Sequence, residues 1–409
     1  MASGSNSTYN LSGGTLRAGA FKIGEAPNAT NVLNVSNDAT LRQNDVQNLE
    51  DQGVWNRIGD NGTTTFNLSG TSTVSLDART LIGNVSGSVT EVNQTGGLFE
   101  VRRGELNLAD LGRLTYNLSG GTIRTLNPAL PFVVGQWDNA NGTLNISGTG
   151  MAESAGGFIV GNGNTNGTPT TGLVQQNGGT VRVGVGGDAD LTIGLNGGAN
   201  GTYNLAGGVL DLTGGDIVFG AGPSKTFSFT GGRLQDVAST NFNLEQQGGT
   251  LAPGVPGTAG FTTIGGDYSL GATGRLELEV FAEPVSDFLI VSGLVTLSGH
   301  LDILAPPGLP VGQRYVILQN QGIGSVFGEF LGKPDESVFG VQNNFFRIDY
   351  QGGDDGNDIQ LVVVPEPAST ALLLGLLGFA GTVRFRKQIR NSSSAGPPHH
   401  GQERQSRTA

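Results

Sequence analysis

Near its carboxyl end the chain places three kinds of residue in an order suited to recognition at a membrane. Pro365-Glu366-Pro367 is a stiff acidic tripeptide that neither a helix interior nor a central strand accommodates. Residues 368–383 follow without a charge, and Arg384, Arg386 and Lys387 close the run. As a helix those residues reach about 24 Å, short of a hydrocarbon core of about 30 Å. Snorkelling of the three basic side chains extends the reach and fixes that end on the cytoplasmic side. The expectation is a C-terminal hydrophobic helix in the membrane, with the body of the chain outside.

Other chemistry is sparse. A glycan hydrolase or lyase needs clustered carboxylates, or a carboxylate beside Arg or Lys, on one face. Asp38, Asp60, Asp77, Asp188, Asp190 and Asp216 are scattered without a recurrent partner and read as turn residues. His300, the one histidine before the tail, lies in an alternating stretch and reads as an exposed strand residue. The stretch from Gly352 to Asp358 holds a single Gly/Asp pattern, whereas calcium cages of this kind need stacked copies, so it reads as a turn. Asn-x-Ser/Thr triplets at Asn10, Asn67, Asn117, Asn145 and Asn200 recur with the local sequence and read as corner hydrogen-bonding residues. Trp55 and Trp137, exposed in variable loops beside Asn56 and Asp138, are the candidate glycan contacts, because an aromatic ring flanked by amide and carboxyl groups stacks on a sugar. No catalytic residue, metal site or cofactor is expected.

Composition narrows the classes further. Of 409 residues, 70 are Gly, 16 are Pro and none is Cys, which removes disulfides, thiolate metal sites and a cysteine nucleophile. Charge divides unevenly, −17 over residues 1–383 and +5 over 384–409. An acidic body lacks the basic face that nucleic acid requires.

What positions these residues is a repeat. Thr8-Tyr-Asn-Leu-Ser-Gly-Gly-Thr-Leu16 recurs, closely or loosely, from Val32, Thr65, Glu91, Thr115, Thr143, Leu173, Thr202 and Thr226, at intervals of 24–33 residues. A second phrase follows in most copies, as at Ile23-Gly24, Ile58-Gly59, Ile82-Gly83 and Val134-Gly135. Each unit reads as a strand, a Gly-Gly corner, a second strand and a third strand ending at Ile-Gly. One unit has too few apolar side chains to offset its chain entropy, so the units must stack. The expected fold is all-β, a right-handed parallel β-helix over 1–250. The period fades from Leu251, and 251–364 is read as a β-rich module that continues or caps the solenoid.

The arrangement at 365–390 resembles the PEP-CTERM sorting signal of exported bacterial proteins: a Pro-Glu-Pro motif, an apolar segment and a basic cluster. The glycine-rich repeats are similar to the β-solenoid ectodomains of such proteins and to autotransporter passengers. That resemblance implies an exosortase-like membrane transpeptidase as partner, with Pro365, Glu366 and Pro367 as recognition residues and Arg384, Arg386 and Lys387 as basic anchor. It also implies a place at the cell envelope or outside it. Two features depart from the pattern: a polar tail, expected to be disordered, continues over 391–409, and no export segment precedes the first repeat, so a longer natural amino terminus is expected. A cytoplasmic tail-anchored protein is the alternative for location. For function, the expectation is a non-enzymatic structural or adhesive surface protein, with extracellular polysaccharide as a further partner; the alternatives are a carbohydrate-active β-helix enzyme or a glycan-binding module.

Overall fold

The computed structural model describes residues 6–44, 55–164, 168–185, 187, 189–282 and 285–367. The expected C-terminal helix, Arg384, Arg386, Lys387 and the polar tail lie outside them. Among the described residues all regular structure is β-strand, and the strands wind into a parallel solenoid of about eleven turns.

The repeat phrase and the hydrogen-bond register coincide. Thr8 pairs with Val32, Val32 with Thr65, Thr65 with Glu91 and Glu91 with Thr115. The series continues through Thr143, Leu173, Thr202 and Thr226 without a slip. Because side chains alternate across a strand, this register puts like residues in columns. Leu33, Phe66, Val92, Tyr116, Leu144, Val174 and Tyr203 form one inward column, each at most 2 % exposed. On the outer side, Asn34, Asn67, Asn93, Asn117 and Asn145 each donate an amide hydrogen to the Asn one coil earlier, at 2.6–3.2 Å. This Asn ladder therefore runs along the outer side of a strand, where corners were expected to hold it.

The third strands make a separate face. Lys22–Ile23, Asn56–Ile58, Thr80–Ile82, Leu106–Leu108, Phe132–Val134 and Phe158–Val160 stack in order, and the parallel series ends at Arg314–Asn320. At about 4.8 Å per step, eleven steps make a stack of roughly 53 Å.

The first two strands differ from the expected pair of separate elements. In four coils they are one long strand, Val89–Val101, Arg113–Thr125, Thr170–Val183 and Ala199–Asp211, with a register shift at the Gly pair. The second Gly takes a left-handed φ, +75° at Gly121 and +76° at Gly208, which turns the chain without ending the ladder.

Past Leu251 the phrase is lost but the stack is not. Leu251 pairs with Leu234 before it and with Leu276 after it. Closure comes later, where Asp358–Val364 lies antiparallel on Arg314–Asn320 and Val338–Val341 pairs antiparallel with Asn344–Gly352. The antiparallel strand occupies an edge that would otherwise offer unpaired groups to another chain.

One internal device recurs three times. Gln94, Gln176 and Gln246 stand at inward positions that hold Leu, Val, Ile or Phe in other coils, and all three are fully buried. Each accepts a hydrogen bond from a tyrosine of the next coil: Tyr116 at 2.6 Å, Tyr203 at 2.6 Å and Tyr268 at 2.8 Å. Each also donates its amide to backbone carbonyls near the Gly-Gly bend. Burial raises the pKa of all three phenols. Below about pH 10 they are protonated folded or unfolded, so stability is unaffected by them. Above it the unfolded chain ionises and the folded one does not. Stability should then fall by roughly 4 kcal/mol per pH unit from these three groups. Denaturant midpoints measured from pH 9 to 11.5, with tyrosinate absorbance rising together with loss of β-signal, check this.

Candidate functional site

The third face begins and ends each strand at fixed register, and that register assembles a groove. Asn56 pairs with Thr80, Thr80 with Leu106 and Leu106 with Phe132. The preceding residues, Trp55, Arg79 and Glu105, therefore stack on successive coils. The Arg79 guanidinium lies 5.2 Å from the Trp55 ring centroid, with Arg57 at 5.6 Å. Arg79 Nε is 2.9 Å from Glu105 Oε2. On the far side of the face, Gln136 and Trp137 follow Phe132–Val134, and their backbone N–H groups donate to Ala109 and Asp110.

Between these two rims lies a groove of about 730 Å³ that both tryptophans line. They are the only two in the chain. Trp137 is 36 % exposed, as expected of an accessible aromatic. Trp55 is half-buried, contrary to the expected exposure, because Arg57 and Arg79 pack over its ring. The polar lining comes from Arg79, Arg103, Glu105, Asn127, Gln136 and Asn162. The amides are ordered: Asn162 donates to Gln136 Oε1 at 3.0 Å, and Asn196 donates to Asn162 Oδ1 at 3.0 Å.

Charges concentrate beside this groove in a way the scattered acids did not suggest. Asp77, 1 % exposed, accepts from Arg103 Nε at 2.9 Å and has Arg102 at 3.3 Å. Asp110 has its carboxyl pushed up to about 6 by burial, against the opposing pull of Arg79. The arginines were not singled out from the sequence. Their signal is visible afterwards: Arg79 and Glu105 occupy the same place in successive units.

The other sequence candidates stay apart from this site. His300 is half-buried on the strand His300–Leu304, in register with Arg275. The stretch from Gly352 to Asp358 forms a turn, and Asp358 accepts from the backbone N–H of Asn320 at 2.9 Å. An acidic group the sequence reading did not find, Asp335, Glu336 and Asp349, brings three carboxylates within 4.8 Å. All three are engaged, Asp335 by the backbone N–H of Tyr350, Glu336 by Arg347, and Asp349 by the backbone N–H of Gln351 and the side-chain amide of Gln360.

At the carboxyl end, Val363 donates its backbone N–H to Gln313 and accepts from Gly312 at 2.8 Å. The strand stops at Val364, and Pro365, Glu366 and Pro367 are exposed. A proline has no N–H to donate, so the ladder cannot continue through 365. Among the described residues no helix is long and apolar enough to cross a membrane. No curated protein matches the chain. Residues 363–388 do match the family model of the PEP-CTERM protein-sorting motif, so the chain is a β-solenoid bearing a PEP-CTERM sorting signal, which implies export to the cell envelope or surface and sorting by an exosortase-type enzyme.

Proposed function

We propose that this is a non-enzymatic structural and adhesive protein of the cell surface or extracellular matrix, whose partner there is extracellular polysaccharide. In this reading an exosortase-like transpeptidase recognises Pro365, Glu366 and Pro367. The segment 368–383, with Arg384, Arg386 and Lys387, holds the precursor in the membrane until then. The observation that carries the reading is the placement of the motif. It follows directly on the strand Asp358–Val364, which closes the solenoid, so cutting there removes none of the described strands.

Replacing Pro365, Glu366 and Pro367 together by Ala tests it. The wild-type protein outside the cell should end near the motif by mass spectrometry, and the triple variant should keep residues 384–409 and stay in the membrane fraction. Extracellular wild-type protein carrying an intact 384–409 tail would overturn the proposal.

A second reading has one specific support. Asp110, with its carboxyl raised to about 6, lies beside the groove and Glu105 lines it, and a raised carboxyl is what a glycan-cleaving general acid needs. Against it, Arg79 holds Glu105 at 2.9 Å, and the Asp110 side chain is only 8 % exposed and lies outside the groove lining. Incubating the secreted protein with the producing cell's polysaccharide should therefore release no new reducing or unsaturated ends. Such release would favour the enzyme.

A further inference from the structure

We infer that the groove on the third face binds an extended segment of a pyranose polysaccharide, laid obliquely across four coils, with a sugar ring stacked on Trp137. The inference rests on the adhesive reading and assigns it a place. Its geometric basis is the register. The strand after Trp55 and the strand before Trp137 are three steps apart, about 14 Å along the axis, and the face between the rims is one three-residue strand wide, about 10 Å. That span fits a short oligosaccharide better than a single ring.

The lining has the chemistry such a ligand needs. A sugar offers an apolar C–H face and a rim of hydroxyls, each both donor and acceptor. Trp137 supplies the flat apolar surface. Asn127, Gln136 and Asn162 supply amides, which both donate and accept. Asn162 is held by Gln136 and Asn196, and Asn127 by the Arg103 carbonyl and the Ala129 N–H, so little order has to be imposed when a ligand arrives. Trp55 is likewise held, clamped by two guanidinium groups, and forms the far end of the groove. No other part of the chain combines tryptophan with amide side chains, because both tryptophans are here.

The test is retention of the secreted, folded protein in affinity electrophoresis through gels containing the producing cell's extracellular polysaccharide. Trp137→Ala should weaken retention at least about tenfold, and Trp137→Tyr, which keeps a flat ring, should stay within about threefold of wild type. Phe261→Ala removes another exposed aromatic, 52 % exposed and outside the groove, and should change nothing. If wild type is retained and Trp137→Ala is retained equally, the groove assignment fails while the adhesive reading stands. If wild type is not retained at all, both fail. Because both tryptophans line the groove, their emission gives a second readout: it should shift on titration with oligosaccharides cut from that polysaccharide, and an unchanged spectrum with retained protein would overturn the assignment.

Discussion

Gly208→Ala should lower stability by roughly 3–5 kcal/mol, while Gly14→Ala at the equivalent corner should cost only about 1 kcal/mol. Both glycines are the second of a Gly-Gly pair and both take a left-handed φ, +76° and +72°. The backbone penalty for a side chain in that region is therefore common to both. What differs is the coil before. A Cβ on Gly208 would lie 2.3 Å from the carbonyl oxygen of Gly179 and 2.5 Å from the carbonyl carbon of Gly178. Those are backbone atoms, so no side-chain rotation relieves the contact; coils spaced at about 4.8 Å would have to part and stretch their hydrogen bonds. Among the described residues nothing lies within 4 Å of an atom added at Gly14. Denaturant midpoints of the two variants, at unchanged m-values, separate the two costs. Equal losses would mean that φ alone demands glycine here and that the tight stacking of corners contributes nothing.

The same corners explain why so much of the fold was legible. A phrase such as Thr-Tyr-Asn-Leu-Ser-Gly-Gly carries an inward column, an outward amide column and a bend, each with its own residue requirement. The register therefore followed from aligning the phrases, and Thr8 to Thr226 pair as aligned. Past Leu251 the first strand of each coil shortens to three residues, as at Tyr268–Leu270 and Val295–Leu297. Three residues leave no room for the phrase, and alternation alone says strand without saying which strand is its neighbour. The buried glutamines were illegible for a different reason. A polar residue at a Leu position looks like a break in the pattern until the tyrosine of the next coil is known to reach it. The groove was half legible: the residue type singled out Trp55 and Trp137, but their place on one groove depends on the register of the third face over three successive steps. Only the pairing of Asn56 with Thr80, Thr80 with Leu106 and Leu106 with Phe132 shows that.

Phe158→Ala should cost roughly 3–5 kcal/mol, and Phe158→Leu less than about 1.5 kcal/mol. Phe158 is fully buried, and its ring centroid lies 4.7 Å from that of Phe132 one coil earlier. The column continues as Leu106, Phe132, Phe158, Leu191 and Ile217, so the site tolerates a branched aliphatic as well as an aromatic ring. Alanine fills neither shape and leaves a void between coils that cannot close, because hydrogen bonds to both neighbours fix the strand at Phe158–Val160. In a solenoid each coil is stabilised only by the coils on either side, so a void in the middle loosens the coupling between two halves rather than the molecule evenly. The Ala variant should therefore unfold in two resolved steps, with the wild type and the Leu variant unfolding in one. Hydrogen exchange read by mass spectrometry locates the division, with protection lost first on one side of residues 158–160. A single cooperative transition in the Ala variant would mean that the coils are coupled over more than nearest neighbours, and that the groove spanning the coils of Trp55 and Trp137 stands on a more rigid base than the column contacts alone imply.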